Sequence, residues 1–372
     1  MSDEAHMRAA LQVAARGLGN TWPNPSVGCV LVKDGVVIAR GWTQPGGRPH
    51  AETEALSRAG EAARGATAYV TLEPCSHFGR TPPCCDALIR AGVSRVVVAL
   101  RDPDRRVDGR GFARLRVAGI AVEEGLMGAE AAALNAGFIR RVTQGLPFVT
   151  LKLASTLDGR IATASGESRW ITGEGARREV HALRAKHDAV MVGSGTALAD
   201  DPELNCRIPG MDPVPMLRVV ADARLRLPLS AKLVTQATAQ PTWLLTGSGH
   251  RPAQLAPYIA AGVEVVTIRR TAGGGLQPRA MLQALGARGV TRVMVEGGAN
   301  LAGSLVRAGL VDRLVWFHAP ATLGAEGLES LGSLGIGPLS AMPRFRLLDS
   351  RRVGHDIMSE FGPQWAQRPE GA

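Results

Sequence analysis

Apolar positions recur along this chain with two periods, one helical and one extended, and their alternation predicts an α/β protein in two parts. Residues 5–17 carry apolar side chains at helical spacing, and Gly17-Leu18-Gly19-Asn20 stops that helix. Thr21-Trp22-Pro23-Asn24-Pro25 cannot continue it, because each proline biases its predecessor toward extended geometry. Residues 27–32 and 36–39 are apolar runs joined through Lys33-Asp34-Gly35, and Asp-Gly between such runs signals a hairpin. A helical stretch follows Pro49 to residue 63, 66–72 reads as a buried strand ended by Glu73-Pro74, Pro82-Pro83 opens another helix, and 95–100 is a strand. Residues 109–125 read as a helix and a strand, and 129–141 as one Ala-rich helix ending in cationic Arg140-Arg141. This order predicts an α/β sandwich around a mixed sheet over residues 1–145.

Gln144-Gly145-Leu146-Pro147 is a short turn, and a second domain is expected over residues 146–372. Its first strand, 148–154, alternates around Lys152; a polar loop with Trp170 follows, and a helix over 174–187 places Arg177, His181 and Arg184 on one face. That face is either solvated or phosphate-binding, since arginine matches phosphate oxygens at two points. Strands are predicted at 189–192, 217–222, 242–246, 264–268, 292–295 and 312–318, with the tail after Gly362 frayed. Two strands run into small residues, Gly193-Ser194-Gly195-Thr196 and Glu296-Gly297-Gly298-Ala299-Asn300, the latter before a helix at 301–308. Strand, glycine turn and helix make an anion cradle, although the G-x-G-x-x-G fingerprint is absent. The residues alone predict an α/β nucleotide-binding domain.

Composition narrows the class. The 372 residues are 45% apolar and 20% charged, which suits two globular domains. No run of about 18 apolar residues occurs, and Met1-Ser2-Asp3-Glu4 opens no signal core, so a cytoplasmic protein without a membrane partner is expected. The net charge of +10 comes mostly from dispersed arginines with 4% aromatics, so no nucleic-acid partner is expected and a phosphorylated small substrate is.

Candidate chemistry gathers in the first half. His50, Cys75 and Cys84 are three of the four ligands tetrahedral zinc takes, leaving one position open for water, whose pKa such a site brings to about 7. Glu52, two residues from the histidine, can take that proton and return it to a leaving amine. This is the zinc-deaminase pattern of H-x-E followed by P-C…C, though eight residues separate Cys75 from Cys84 instead of two. His77 and Cys85 compete as ligands; Cys85 should point away from Cys84. Glu73 is a second acid or a strand-end contact, Cys29 a small core residue, and Asn24 a turn former or a base-contacting amide.

The run Ala66-Thr67-Ala68-Tyr69-Val70-Thr71-Leu72-Glu73-Pro74-Cys75-Ser76-His77-Phe78-Gly79-Arg80-Thr81-Pro82-Pro83-Cys84 resembles the deaminase half of the bifunctional riboflavin-biosynthesis deaminase–reductases, in which the long cysteine spacing is normal. Lys152-Leu153-Ala154-Ser155-Thr156-Leu157-Asp158-Gly159-Arg160, Gly166-Glu167-Ser168-Arg169-Trp170-Ile171, Asp200-Asp201-Pro202 and Glu296-Gly297-Gly298 resemble the reductase half. The resemblance implies a cytidine-deaminase-like α/β/α domain followed by a dihydrofolate-reductase-like α/β domain, one Zn2+ on His50, Cys75 and Cys84, and Glu52 as proton shuttle. It further implies NADPH contacts at Ala154, Trp170, Thr196, Asp200 and at Gly298, Ala299, Asn300, Leu301, Ala302, Gly303 and Ser304. Substrate contacts are implied at Ser168, Arg184, Leu204, Arg207 and Glu296, with Lys152 and Asp200 as possible catalytic groups of the reductase. The implied substrate is a diaminopyrimidinone ribosylamine 5′-phosphate, deaminated and then reduced in its ribosyl group by a homo-oligomer, dimer or tetramer. Two other functions compete, a nucleic-acid base deaminase and a deaminase with a non-catalytic ligand-binding C-terminal module. No arginine for the NADPH 2′-phosphate stands out among so many, least of all in the motif-poor stretch 205–290.

Overall fold

The computed structural model describes residues 2–79, 81–105, 107–208, 210 and 216–365, and the chain forms two compact units, Met1–Leu146 and Pro147–Ala372. In the first, helix α1 (Asp3–Ala14) begins at Ser2, whose hydroxyl accepts from the Ala5 amide at 3.3 Å, with Asp3 and Glu4 favouring the positive end of the dipole. Strands β1 (Gly28–Lys33) and β2 (Val36–Trp42) form the hairpin, turning through Asp34 and Gly35, both at positive φ. Next come α2 (Ala51–Ala59), β3 (Thr67–Val70), α3 (Cys84–Ala91), β4 (Arg95–Val98), α4 (Arg110–Val117), β5 (Ala121–Glu124), α5 (Gly128–Leu134) and α6 (Ala136–Gln144). The sheet order is β2-β1-β3-β4-β5, antiparallel through β3 and parallel beyond it.

Alternation along the strands builds a core on each face. Cys29, Leu31, Ala68, Val70, Val96 and Val98 pack against α2, α3, α4 and α6, while Val30, Val32, Tyr69 and Val97 pack against α1 and α5. The sheet is thus covered on both sides. The Ala-rich helix expected over 129–141 is two helices, because Asn135 leaves helical geometry and commits its side chain to the Ser26 backbone, accepting from its amide at 2.9 Å and donating to its carbonyl at 3.0 Å.

The second unit starts with β6 (Phe148–Thr156), β7 (Arg160–Ala162), α7 (Glu174–Arg184), β8 (Ala189–Gly193), α8 (Ser194–Asp200), β9 (Leu217–Asp222) and α9 (Lys232–Thr235). It continues with β10 (Thr242–Gly247), α10 (Pro252–Ala260), β11 (Glu264–Ile268), α11 (Pro278–Ala287), β12 (Arg292–Gly297), α12 (Ala299–Arg307) and β13 (Arg313–Ala319), then β14 (Leu328–Glu329), β15 (Phe345–Val353) and β16 (Asp356–Pro363). The large sheet runs β11-β10-β9-β8-β12-β6-β13-β16-β15, with seven parallel strands and an antiparallel hairpin at one edge. Strands β8 and β10 are buried along their whole length and β9 nearly so, as a sheet with both faces covered demands.

The closing hairpin corrects the expected frayed tail. Gly362 and Pro363 belong to β16, and Trp365 packs edge-on against Phe345 with centroids 4.7 Å apart while donating to the Gly309 carbonyl. The remainder of that tail, residues 366–372, lies outside the described residues, as does Arg80 of the motif run.

Candidate active sites

The first site stands where α2 and α3 begin. Gly41 lets α2 settle on β2, since a Cβ there would collide with the Ala51 carbonyl and the Ala55 backbone. That approach fixes His50, the residue capping α2, and Glu52 in its first turn. Cys84 is the first residue of α3 behind Pro83, and Cys75 lies in the loop after β3, off any helix. The start of α3 nevertheless reaches it, because the Cys84 amide donates to Cys75 Sγ at 3.3 Å.

His50 Nδ1 lies 3.3 Å from Cys84 Sγ and 3.7 Å from Cys75 Sγ, and all three ligand atoms fall within 4.8 Å of one another. Bonds of 2.0–2.3 Å in a tetrahedron require ligand separations of about 3.5–3.8 Å, so the three fit zinc. The electrostatics agree. A hydrogen bond from Cys84 holds the Cys75 thiol down at about 4, and the same bond, with burial, pushes Cys84 well up. Two sulfurs in that relation share one proton until a cation allows both to ionise. Burial raises Glu52 to about 7, with the charge on Cys75 adding to it, which suits a group that must both take and return a proton near neutrality.

The neighbours resolve into structural roles. Cys85 donates to the Pro74 carbonyl at 3.1 Å and stands outside the ligand cluster. Glu73 is buried and accepts from the amides of Asp102, Gly109 and Gly111 at 3.3, 2.9 and 2.9 Å, so it anchors that loop as a strand-end contact. Asn24 donates to the Gly47 carbonyl at 3.1 Å. Cys29 is a core residue of β1.

In the second unit a charged cluster sits across β6, β12 and α7. Arg184 grips Glu296 at two points, Nε to Oε1 at 2.5 Å and Nη2 to Oε2 at 2.7 Å, and donates to the Asn205 carbonyl at 2.6 Å. Burial alone would raise Glu296, but the charge and bonds of Arg184, with Lys152 adding, hold it below the usual range. Lys152 is lowered by burial, partly offset by Glu296. On the same face of α7, Arg177 lies over Trp170 at 4.5 Å, and His181 Nδ1 accepts from the Arg207 amide at 3.1 Å.

The implied reductase contacts divide by exposure. Trp170 is 69% exposed, Ser168 half-buried beside it, and Asp200 accepts from Arg169 through its carbonyl at the end of α8. Thr196 fills the space beside Gly297, where an added Cβ would lie 2.7 Å from its Oγ1, so the turn needs glycine. Asn300 is exposed and Gly298, Ala299 and Ser304 half-buried, while Leu301, Ala302 and Gly303 are packed inside. Leu204 is likewise buried, so its side chain faces the core and only its backbone is left for a ligand. Ala154 is half-buried on β6, and Arg207 is exposed. Nothing local marks the helix break at Asn135 or names the amides that Glu73 accepts from, because both depend on partners many residues away.

Comparison with known proteins decides the family. Residues 147–359 match the model of the RibD C-terminal domain, and residues 1–100 that of the cytidine and deoxycytidylate deaminase zinc-binding region. The riboflavin biosynthesis protein RibD of Escherichia coli is 44% identical over 368 residues, covering 96% of this chain and 98% of that protein. The chain belongs to the RibD family. A solved structure of Acinetobacter baumannii RibD superposes with a TM-score of 0.87 at 40% identity, over 97% of this chain and 99% of that one. Another, from Thermotoga maritima, described as a diaminohydroxyphosphoribosylaminopyrimidine deaminase/5-amino-6-(5-phosphoribosylamino)uracil reductase, gives 0.83 at 34% identity, over 97% and 98%. RibD proteins are bifunctional enzymes of riboflavin biosynthesis with a zinc-binding deaminase unit and an NADPH-dependent reductase unit, and this chain carries both. Among the described residues no helix is long and apolar enough to cross a membrane.

Proposed function

We propose that the first unit removes the 2-amino group of 2,5-diamino-6-ribosylamino-4(3H)-pyrimidinone 5′-phosphate by hydrolysis, and that the second reduces the ribosyl group to ribityl, giving 5-amino-6-ribitylaminouracil 5′-phosphate. The observation that carries this reading is Glu52, buried with a raised carboxyl beside the His50–Cys75–Cys84 cluster. Zinc, when bound by those three side chains, supplies a Lewis acid that makes water nucleophilic at neutral pH. Glu52 accepts one proton from the attacking water and delivers it to the departing nitrogen; C2 gains an oxygen and loses ammonia.

In the reductase unit NADPH supplies the reducing equivalent when bound. The turn at Gly298, Ala299 and Asn300, with Thr196, Ala154, Asp200 and Trp170, would hold it, and Leu301, Ala302, Gly303 and Ser304 shape the helix behind. Arg184 and Glu296 orient the substrate with Ser168, Arg207 and the Leu204 backbone, while Lys152 steadies charge at the reacting sugar. The five free cysteines support a reducing, cytoplasmic setting. The exposed edge strand β15, with Leu347 and Leu348 at 55% and 42% exposure, supports a homo-oligomer, dimer or tetramer.

Glu52→Gln tests the reading. It should retain one zinc per chain by metal analysis and lose roughly 10²- to 10⁴-fold in ammonia release, while NADPH oxidation with the deaminated substrate persists. Near wild-type ammonia release from zinc-replete Glu52→Gln would remove Glu52 from its role. Loss of NADPH oxidation as well would show that the two activities are not independent.

A further inference from the structure

The stretch that carries no motif, residues 205–290, supplies three parallel strands, and the loops at their carboxyl ends share one chemistry. Arg224 and Arg226 follow β9, His250 and Arg251 follow β10, and Arg269 and Arg270 follow β11. No acid occurs in residues 223–226, 247–251 or 269–275. The preceding carboxylate, Asp222, is buried and turned inward, its Oδ2 accepting from the Arg226 and Leu227 amides at 2.5 and 2.8 Å. Among the described residues none of these five arginines has an ion-pair partner. The side chains also form a line. Arg226 Nη2 donates to Ser194 Oγ at 2.6 Å at the end of β8; His250 Nε2 lies 3.3 Å from the Ala223 carbonyl oxygen and 3.1 Å from Arg270 Nη2. Arg270 can only donate, so His250 Nε2 accepts from it, and the guanidinium charges of Arg226 and Arg270, with no acid beside them in these loops, make a positive field that a bound anion relieves.

We propose that this line is the seat of the NADPH 2′-phosphate, with Arg226, His250 and Arg270 as its contacts. The proposal rests on the reductase unit's use of NADPH. In an open parallel sheet, ligands lie beyond the carboxyl ends of the strands. Lys152, Arg184 and Glu296 mark the reacting end at β6 and β12, and the glycine turns after β12 and β8 allow close backbone approach. With its reacting end there, a dinucleotide lays its other half across β9 and β10, at ~5 Å per strand. A phosphate monoester dianion on that ribose meets guanidinium groups that match it at two points, whereas the hydroxyl of NADH brings no charge to them. The substrate's 5′-phosphate has the same chemistry, and binding measurements separate the two.

The test is equilibrium titration calorimetry on the full-length protein with NADPH, with NADH and with the phosphorylated pyrimidine substrate. Wild type should prefer NADPH. Arg270→Gln and Arg226→Gln should each weaken NADPH roughly ten- to a hundredfold, leaving NADH and substrate unchanged, which also reports an intact fold. If Arg226→Gln does not fold, having lost its bond to Ser194, the exposed Arg270→Gln carries the same comparison. Equal weakening of NADPH and NADH, or none, overturns the proposal. A loss confined to the substrate overturns it in favour of a 5′-phosphate seat. Wild type that binds neither dinucleotide overturns the NADPH reading itself.

Discussion

Arg184 and Glu296, 112 residues apart, form a two-point ion pair that ties α7 to the end of β12, with side-chain exposures of only 13% and 8%. A pair this buried is weak evidence of net stabilisation, yet removing one member strands the other charge. It also leaves Glu296 fixed in position beside Lys152, which a flexible carboxylate would not be.

Arg184→Met should therefore destabilise the reductase unit by about 3–5 kcal/mol. Urea unfolding followed through Trp170, Trp243, Trp316 and Trp365 measures it. Adding Glu296→Leu should recover most of that stability but no reductase activity. A double variant as unstable as the single would show that the loss comes from packing and not from the stranded carboxylate.

Zinc content separates the adjacent cysteines. Cys84→Ser should abolish stoichiometric zinc and ammonia release, while Cys85→Ser, whose sulfur only donates to the Pro74 carbonyl, should keep one zinc per chain. Metal analysis of the two purified variants decides it. Zinc lost equally from both would return Cys85 to the ligand set.

The sequence was most legible where the contacts are local. The hairpin could be read because Asp34 and Gly35 take the positive φ that its turn demands, and the zinc ligands because His50 and Cys84 each open a helix behind a proline. The break at Asn135 was invisible, because Ala-rich periodicity continues through it and its cause is a pair of bonds to Ser26. The last hairpin was missed for a different reason. Strand β15 is exposed along nearly its whole length, so it carries none of the apolar alternation that marks a half-buried strand. Arg226, His250 and Arg270 stand in separate loops, and only the parallel register of β9, β10 and β11 brings them into line.

Two buried glutamates of the deaminase unit should respond oppositely to substitution. Glu73→Ala leaves the Asp102, Gly109 and Gly111 amides without their acceptor and should cost roughly 3 kcal/mol or more. Glu52→Gln removes a carboxyl that burial already disfavours, so it should leave stability unchanged or raise it. Unfolding followed through Trp22 and Trp42 compares them. A Glu73→Ala protein as stable as wild type would mean that the 102–111 loop holds its place without that carboxylate.

His187 should give the reductase unit an acid-sensitive stability. It is buried, with Nδ1 2.7 Å from the Leu183 carbonyl and Nε2 2.8 Å from Thr150 Oγ1. A carbonyl can only accept, so the network assigns the proton to Nδ1 and leaves Nε2 to accept from the threonine hydroxyl. A charged ring would have to reverse that second bond, donating from Nε2 to the hydroxyl, in a site shut off from water, and burial lowers the pKa to about 4. The folded value lies below the unfolded one, so the unfolded chain binds the proton first as pH falls. The stabilisation is thus complete above about pH 6.5 and declines by roughly 3 kcal/mol as pH approaches 4. Burial pushes neighbouring Asp188 up, which acts in the opposite sense but equally in wild type and in a His187 variant. The difference in unfolding free energy between wild type and His187→Gln therefore isolates the histidine. Measured from pH 7.5 to 4.5, that difference should shift against wild type; a constant difference would mean the ring takes up its proton as readily folded as unfolded.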